Sequence, residues 1–233
     1  MRPGAGAMTL FARLRSDAGP DWREYVEHDF VRGIGAGNLA PAAFRYYLEQ
    51  DYLFLIHFAR AYALAAFKAD TLEEMRAAAE TMRLLLDVEM KMHVKYCAGW
   101  GLTEQAMAAQ PEDKANMAYT RFVIERGLAG DALDLHVALA PCVIGYGVVG
   151  RALERGADTL RAGNPYAEWI AMYAGGEYQA IVKGAEERLD RLWARRGNEA
   201  RYAALLETFR AACRLETAFW QMGLDAAARP RKG

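Results

Sequence analysis

Hydrophobic residues recur at intervals of three and four along most of the chain, with polar residues between them. This period predicts amphipathic α-helices and not strands. The pattern predicts four long helices, at about residues 41–68, 72–97, 132–155 and 199–226, and four shorter ones, at about residues 21–32, 111–127, 165–174 and 177–195. β-branched residues are sparse, whereas Ala, Leu, Met, Arg and Glu are abundant, so an all-α protein is predicted.

Local signals agree with the starts of these helices. Pro41 suits a first helical turn, and Thr71 with Glu74 three residues later forms a capping-box pattern. The predicted connections are short, which is typical of antiparallel neighbours in a helical bundle. No internal repeat or Ser/Pro-rich linker occurs in the sequence. We therefore expect a single domain over residues 1–233, with an ordered core at about residues 8–226.

The composition excludes several classes of protein. With 53% hydrophobic and 25% charged residues, the 233-residue chain is globular and not disordered. Its 29 basic and 30 acidic residues give a net charge of −1, so we do not expect general electrostatic binding to nucleic acid or anionic lipid. The uncharged stretch from Val137 to Gly150 is shorter than the about 20 residues of a membrane span. Residues 1–10 lack the apolar segment of a signal peptide, so we expect a soluble, cytoplasmic protein without nucleic-acid or membrane partners.

The three cysteines, Cys97, Cys142 and Cys213, are widely spaced and include no CxxC pair. Neither a disulfide framework nor a zinc ribbon follows from this spacing. Free thiols are typical of proteins in a reducing cytosol. The sequence also lacks a P-loop, a GxSxG motif and a dinucleotide-binding GxGxxG at a strand–helix junction, so nothing in it predicts a pyrophosphate site.

Asp51 lies in the middle of an apolar stripe on the helix predicted at residues 41–68. A buried carboxylate is costly unless it is paired or hydrogen-bonded. Two interpretations remain open. One is a structural ion pair with an arginine such as Arg45 or Arg60, and the other is a functional acid in a pocket.

Glu216 repeats this pattern on the last long helix, where Phe209, Cys213 and Trp220 mark the buried stripe. A second core carboxyl on a separate long helix is harder to explain as structural. When two carboxyl groups share one apolar pocket, one can act as an acid and the other as a base.

Cys142 lies on a third apolar stripe, one helical turn before Tyr146. The preceding Pro141 removes a backbone hydrogen bond, so we expect a kink near Cys142. From its position alone, inert packing is the simpler interpretation of Cys142, as it is of Cys97 and Cys213.

Glu89 and His93 are spaced by one helical turn and are possible metal ligands. A di-iron bundle site needs further carboxylate and histidine ligands from partner helices. His57 and His136 have no glutamate three or four residues before them. We therefore interpret Glu89 and His93 as a hydrogen-bonded structural pair, or as support for a nearby functional group, and we predict no metal site.

The segment Phe44–Phe54, with the sequence FRYYLEQDYLF, closely resembles the TenA family, the thiaminase II group of the haem-oxygenase-like helical bundles. Further motifs follow in the family's order: Glu89-Met-Lys-Met-His93, Trp100-Gly101, Ala118-Tyr119-Thr120, Pro141-Cys142-x-x-x-Tyr146, Trp169-Ile170-x-x-Tyr173 and Leu215-Glu216-x-x-Phe219-Trp220. Together they span residues from about 10 to 225. The resemblance implies a haem-oxygenase-like multi-helix bundle.

The resemblance also implies roles for the three residues that did not fit their apolar stripes. Cys142 matches the family's nucleophile, and Glu216 matches the carboxylate that acts as acid and base. Asp51 matches the acid that hydrogen-bonds the aminopyrimidine ring of the substrate. Some TenA-like proteins lack the cysteine and have another activity, so its presence here favours the hydrolase branch.

Four aromatic residues match the rest of the family's site. Tyr119 and Tyr173 match tyrosines that hydrogen-bond near the reacting centre. Phe54 and Tyr146 match the aromatic walls that hold the substrate ring.

The activity implied by the resemblance is hydrolysis of 4-amino-5-aminomethyl-2-methylpyrimidine to the hydroxymethyl pyrimidine and ammonia, in thiamine salvage. Cleavage of thiamine is a related activity, no metal or organic cofactor is implied, and the family commonly forms homotetramers. The preferred substrate among the aminomethyl pyrimidine, its formylated form and thiamine stays open. Two alternatives also stay open, a metal-dependent oxidase on the same bundle and a non-catalytic pyrimidine-binding or regulatory protein.

Overall fold

The structure is a computed structural model that describes residues 8–229. Its helices in chain order are α1 (Leu10–Ala18), α2 (Pro20–Val26), α3 (Asp29–Ala36), α4 (Pro41–Phe67), α5 (Leu72–Leu84), α6 (Met90–Ala98), α7 (Glu104–Ala108), α8 (Lys114–Ala129), α9 (Ala132–Ala140), α10 (Tyr146–Arg155), α11 (Ala167–Ala174), α12 (Gly176–Arg196) and α13 (Glu199–Ala228). Two π-helical turns, π1 (Leu85–Glu89) and π2 (Pro141–Gly145), join α5 to α6 and α9 to α10. The described residues contain no strand, so the predicted all-α class is confirmed. The expectation about a signal peptide falls mostly on residues 1–7, outside the described residues.

The four long predicted helices are present, two of them with a π turn inside. The single helix predicted at residues 21–32 is wrong, because α2 ends at Val26 and α3 begins at Asp29. The break occurs at His28, whose ring Nδ1 accepts a hydrogen bond from the amide of Phe30 at 3.2 Å and so caps a new helix. The hydrophobic pattern also missed α1 and α7.

Both π turns lie within helices that would otherwise be continuous. In π2, Pro141 has no N–H and crowds the carbonyl one turn earlier, so regular helical bonding is interrupted there. The irregularity expected near Cys142 is therefore present as a wide helical turn. No proline accompanies π1, and the sequence pattern did not predict it.

The core is built around α4 and α13. Helix α13 packs against α2, α4, α8 and α9, and α4 packs against α5, α6 and α8. At the centre, the buried ring of Trp220 lies 5.0 Å from that of Phe30, 5.2 Å from Tyr47 and 5.1 Å from Tyr146, measured between centroids. Burial of each large apolar side chain contributes roughly 1.5–3 kcal/mol, so these contacts fix α3, α4, α10 and α13 against one another.

The segment Ala132–Arg155 is long and apolar enough to cross a membrane by length and composition. However, 78% of its most apolar window is buried inside the protein. Helix α9 packs against α8, α12 and α13, and α10 packs against α11. The apolar surface of this segment is therefore covered by other helices of the bundle.

Helices α10 and α11 approach closely at Gly150. A Cβ atom at this position would lie 2.7 Å from the backbone carbonyl carbon of Tyr173 and 2.8 Å from the amide nitrogen of Ala174. Backbone atoms cannot move aside as the end of a flexible side chain can. The glycine therefore permits the helix contact that places Tyr173.

We expect Gly150→Ala to lower the free energy of unfolding by roughly 1–3 kcal/mol, because the added methyl group meets rigid backbone. Gly184→Ala is the matched control, since Gly184 lies inside α12 and no atom of a neighbouring element is within 4 Å of its added Cβ. That change should raise the free energy of unfolding by up to about 1 kcal/mol. Urea unfolding of the three proteins measures both effects, and equal stability of the two variants would contradict the packing argument.

Candidate active site

A cavity of about 790 Å³ opens between α4, α5, π1, π2, α10, α11 and the start of α12. Five of the seven predicted site residues line it: Asp51, Phe54, Cys142, Tyr146 and Tyr173. The rest of the lining is mostly aliphatic and aromatic, which is typical of a site for a small organic ligand. Residues that are far apart in sequence thus come together at one cavity.

The aromatic lining comes from α4 on one side of the cavity and from α10, α11 and α12 on the other. The rings of Phe54 and Phe58 stack with their centroids 5.3 Å apart, and the rings of Tyr146 and Tyr173 are 5.0 Å apart. Trp169 packs behind Tyr173 at 4.6 Å. Rings that are fixed in this way offer flat, rigid surfaces on which an aromatic ligand can stack.

Asp51 is held by two hydrogen bonds to one of its oxygens. Its Oδ2 lies 2.6 Å from His93 Nε2 and accepts from the hydroxyl of Tyr47 at 3.3 Å. Its Oδ1 is left for a partner in the cavity. The expected arginine partners were wrong, because Arg45 pairs with Glu49 and the guanidinium of Arg60 contacts His57.

His93 is fully buried, and both of its ring nitrogens are occupied. Nδ1 lies 2.9 Å from the backbone carbonyl of Glu89, and since a carbonyl only accepts, Nδ1 carries a proton. Burial lowers the pKa of His93, but the neighbouring Asp51 and Glu89 outweigh it, so the pKa is raised and the charged imidazolium is favoured. These hydrogen bonds leave no free nitrogen on His93 for a metal. Within residues 8–229 no group of three or more His, Cys, Asp or Glu side chains is arranged to hold one.

Glu89 lines the cavity, whereas the sequence predicted either a structural pair with His93 or support for a nearby functional group. The expected hydrogen bond to His93 uses the backbone carbonyl of Glu89, while its side-chain Oε1 accepts from the hydroxyl of Tyr173 at 3.0 Å. Burial raises the pKa of Glu89 to about 7, and His93 and the Tyr173 hydrogen bond oppose this rise. The four-residue spacing to His93 was the available signal, since it places both side chains on one helix face.

Glu216 and Tyr119 form a second buried pair, and neither lines the cavity. The hydroxyl of Tyr119 donates to Glu216 Oε1 at 2.8 Å, and its ring packs 5.1 Å from that of Phe54. Burial raises the pKa of Glu216 to about 8, and the hydrogen bond from Tyr119 opposes this rise. The two residues therefore lie next to the lining and not in it.

Cys142 is half-buried and lies in π2. Burial raises the pKa of its thiol well above the ordinary value, and the carboxyl groups of Glu216, Glu89 and Asp51 raise it further. The thiol is therefore neutral in the empty site. Cys97 and Cys213 are buried and do not line the cavity, in agreement with their predicted packing roles.

Comparison with known proteins agrees with the motifs. The model of the TENA/THI-4/PQQC family matches residues 15–226. An aminopyrimidine aminohydrolase of Halalkalibacterium halodurans is 33% identical over 219 residues, which cover 94% of this chain and 96% of that protein. A crystal structure from Silicibacter sp. TM1040, described as a TenA family transcription regulator, has 46% identity and a TM-score of 0.87, covering 92% of this chain and 96% of that one.

A more distant crystal structure bears on the fold alone. A domain from Shewanella denitrificans, described as having a heme oxygenase-like fold, aligns with a TM-score of 0.69 at 12% identity over 92% of each chain. The predicted haem-oxygenase-like bundle is thereby confirmed. Because the family match extends over nearly the whole sequence, the chain belongs to the TENA/THI-4/PQQC family.

Proposed function

We propose that the protein is a thiamine-salvage hydrolase that converts 4-amino-5-aminomethyl-2-methylpyrimidine to the hydroxymethyl pyrimidine and ammonia, with cleavage of thiamine as a related activity. The observation that carries this proposal is the meeting of the Cys142 thiol and the Asp51 carboxylate in one aromatic-lined cavity. The H. halodurans relative, named an aminopyrimidine aminohydrolase, supports the same chemistry.

Asp51 is the group that binds the aminopyrimidine ring. Its Oδ2 is fixed by His93 and Tyr47, so its Oδ1 has a defined position from which to accept from the exocyclic amine or from a protonated ring nitrogen. Stacking against Phe54 and Tyr146 holds the ring flat in the cavity. Protonation of a ring nitrogen, stabilised by the carboxylate of Asp51, makes the ring electron-poor and therefore open to attack.

Cys142 is the nucleophile. Glu216 takes the proton of the thiol, sulfur adds to a ring carbon, and the amine on the neighbouring methylene leaves with that proton. Water then adds to the methylene, and the thiolate is expelled. Tyr119 keeps the Glu216 carboxyl in one orientation throughout, through the 2.8 Å hydrogen bond.

Activation of the thiol requires the substrate. In the empty site, burial and three carboxyl groups keep the pKa of Cys142 high, so a base must remove its proton as sulfur attacks. The pKa of Glu216, at about 8, lies in the range that suits a general base near neutral pH. Since the resting thiol is neutral, it is also protected from oxidation.

Two further properties belong to this proposal. The cavity volume of about 790 Å³ exceeds the needs of one pyrimidine ring, which leaves room for the second ring of thiamine. We also place the protein in the cytoplasm, because its three cysteines are free, and we expect the homotetramer implied by the resemblance.

The two alternative functions have less support. The Silicibacter relative is described as a transcription regulator, but a net charge of −1 and an enclosed site with a thiol and carboxyl groups favour small-molecule chemistry here. A metal-dependent oxidase would need His93 as a ligand, and its ring nitrogens are engaged with Asp51 and Glu89.

Replacing the nucleophile tests the mechanism. Cys142→Ala should lower ammonia release from the aminomethyl pyrimidine by about a thousand-fold or more, because the covalent route is lost. Binding of the hydroxymethyl product, followed by calorimetry, should persist, since Asp51 and the aromatic walls remain. Cys97→Ala removes a buried thiol outside the cavity and should keep wild-type turnover. Undiminished turnover in Cys142→Ala would overturn the mechanism.

Ring recognition is tested at Asp51. Asp51→Asn should lower kcat/KM by about 10- to 100-fold, the equivalent of a charge-assisted hydrogen bond worth about 1.5–3 kcal/mol. Glu49→Gln is the matched control, because this buried carboxylate on the same helix pairs with Arg45 at 2.8 Å and does not line the cavity. A similar loss in both variants would show that Asp51 acts on the fold and not on the substrate.

A further inference from the structure

Two tyrosine–glutamate pairs, one buried and one partly buried, lie close to Cys142. The first joins α8 to α13 through Tyr119 and Glu216, and the second joins α11 to π1 through Tyr173 and Glu89. Both carboxyl groups raise the pKa of the Cys142 thiol, with Glu216 the stronger of the two. The reaction proposed above uses the first pair and leaves Glu89 without a role.

The two carboxyl groups differ in their access to the cavity. Glu89 lines it and Glu216 does not. Two other acidic side chains line the cavity, but Asp51 is held by His93, and Glu177 is exposed to solvent in the first turn of α12. The Oε1 of Glu89 is engaged by Tyr173, which leaves its Oε2 for a water molecule in the cavity.

The position of Glu89 results from the π turn π1. Glu89 is the last residue of π1, as Cys142 is the second residue of π2, and both line the same cavity. Wide helical turns of this kind are frequent at functional sites, because they re-aim side chains that a regular helix would place elsewhere. One such turn presents the nucleophile and the other presents a carboxyl group.

We infer that Glu89 is a second catalytic residue, the general base that takes a proton from the water that attacks the methylene carbon. This inference rests on the proposed function. It assigns the two halves of the reaction to the two tyrosine–glutamate pairs. Tyr119 and Glu216 serve the addition of sulfur and the departure of the amine. Tyr173 and Glu89 serve the hydration that follows.

The protons balance in this scheme, written for the neutral amine. The thiol proton passes to Glu216 and leaves with the amine as ammonia, while a sulfur–carbon bond forms and the carbon–nitrogen bond breaks. Water then forms the carbon–oxygen bond and gives one proton to Glu89. The sulfur–carbon bond breaks, its electron pair returns to sulfur, and the proton on Glu89 restores the Cys142 thiol. Both carboxylates end as they began.

Glu89 must be ionised to act as a base, which gives the hydration step a pH dependence. The groups that face it are Tyr47, Asp51 and Tyr62 on α4, His93 on α6, Cys142 on π2, Tyr173 on α11 and Tyr178 on α12. Burial raises the pKa of Glu89 to about 7, so the hydration rate should fall as the pH drops below this value. The hydrogen bond from Tyr173 lowers this pKa, so Tyr173→Phe should move the acid limb to higher pH.

The test uses Glu89→Gln, which keeps the size of the side chain and an oxygen that accepts from Tyr173. Steady-state turnover of the aminomethyl pyrimidine should fall by about 100-fold or more, the usual contribution of a general base. The first turnover should still release one equivalent of ammonia and leave the pyrimidine covalently attached to Cys142, visible as added mass on the intact protein. Azide needs no deprotonation, so it should restore turnover in Glu89→Gln and give the azidomethyl pyrimidine.

Three controls make the outcome decisive. Asp87→Asn removes an exposed carboxylate of the same π turn that does not line the cavity, and this variant should turn over as the wild type does. Cys142→Ala should show neither the ammonia burst nor rescue by azide. The double variant Tyr173→Phe/Glu89→Gln should show no fall in the hydration rate below about pH 7, because it has no ionisable group at position 89.

The possible failures are distinguishable. A wild-type protein that releases no ammonia would overturn the proposed function and this inference with it. An active wild type with normal turnover in Glu89→Gln would overturn the inference alone. Slow turnover without the burst, the adduct and the azide rescue would show that Glu89 does not act in the hydration step, and would equally overturn it.

Discussion

The ion pair between Asp51 and His93 is the interaction on which the geometry of the cavity depends. Both residues are almost excluded from solvent, at 4% and 0% exposure, and an unpaired charge at such a depth costs several kcal/mol. Each charge balances the other, and Tyr47 and the Glu89 carbonyl take up further hydrogen bonds. Since the pair connects α4 to α6 and its second bond reaches π1, neither side chain can turn away without leaving a buried charge uncompensated.

The same pair sets the electrostatic balance of the site. The imidazolium of His93 faces the carboxyl groups of Asp51 and Glu89, and a third carboxyl, Glu216, lies near Cys142. One positive charge cannot compensate three negative ones in an apolar core. Burial therefore raises the pKa of Glu89 to about 7 and that of Glu216 to about 8. Near neutral pH these two glutamates therefore tend to hold a proton before substrate binds, and a substrate that brings positive charge would shift them towards their ionised forms.

The sequence singled out those candidate site residues that contradict their surroundings. Asp51 and Glu216 interrupt long apolar stripes, and an acidic residue among apolar ones is visible without any structure. Cys142 instead fits its apolar stripe, and only the family resemblance distinguished it from a packing residue. Glu89 was noticed through its spacing to His93 but was not counted among the predicted site residues, because its neighbours, Asp87 and Val88, give no uniform stripe to interrupt. The π turn that presents it has no proline, and nothing local predicts the wide turn.

The sequence also did not predict which distant side chain pairs with Asp51. Periodicity places Asp51 on a buried face, but it does not say which of several basic groups meets it, and the choice of Arg45 or Arg60 was wrong for that reason. The partner, His93, lies 42 residues away on a different helix. A helix pattern predicts the face that a residue occupies, whereas its partner depends on the packing of α4 against α6.

The two tyrosine–glutamate pairs show why a phenol is suited to support a carboxyl group that changes its charge. A tyrosine hydroxyl donates to a carboxylate and can accept from a carboxylic acid, so the contact survives gain or loss of the proton. Burial raises the pKa of Tyr119 and Tyr173 well above the ordinary value, which keeps both hydroxyl groups protonated and able to donate. A lysine or arginine in the same place would instead hold the carboxyl ionised and lower its pKa, and Glu89 and Glu216 would lose the basicity that proton transfer at neutral pH requires. The neutral partner is therefore as much a condition for the chemistry as the carboxyl groups themselves.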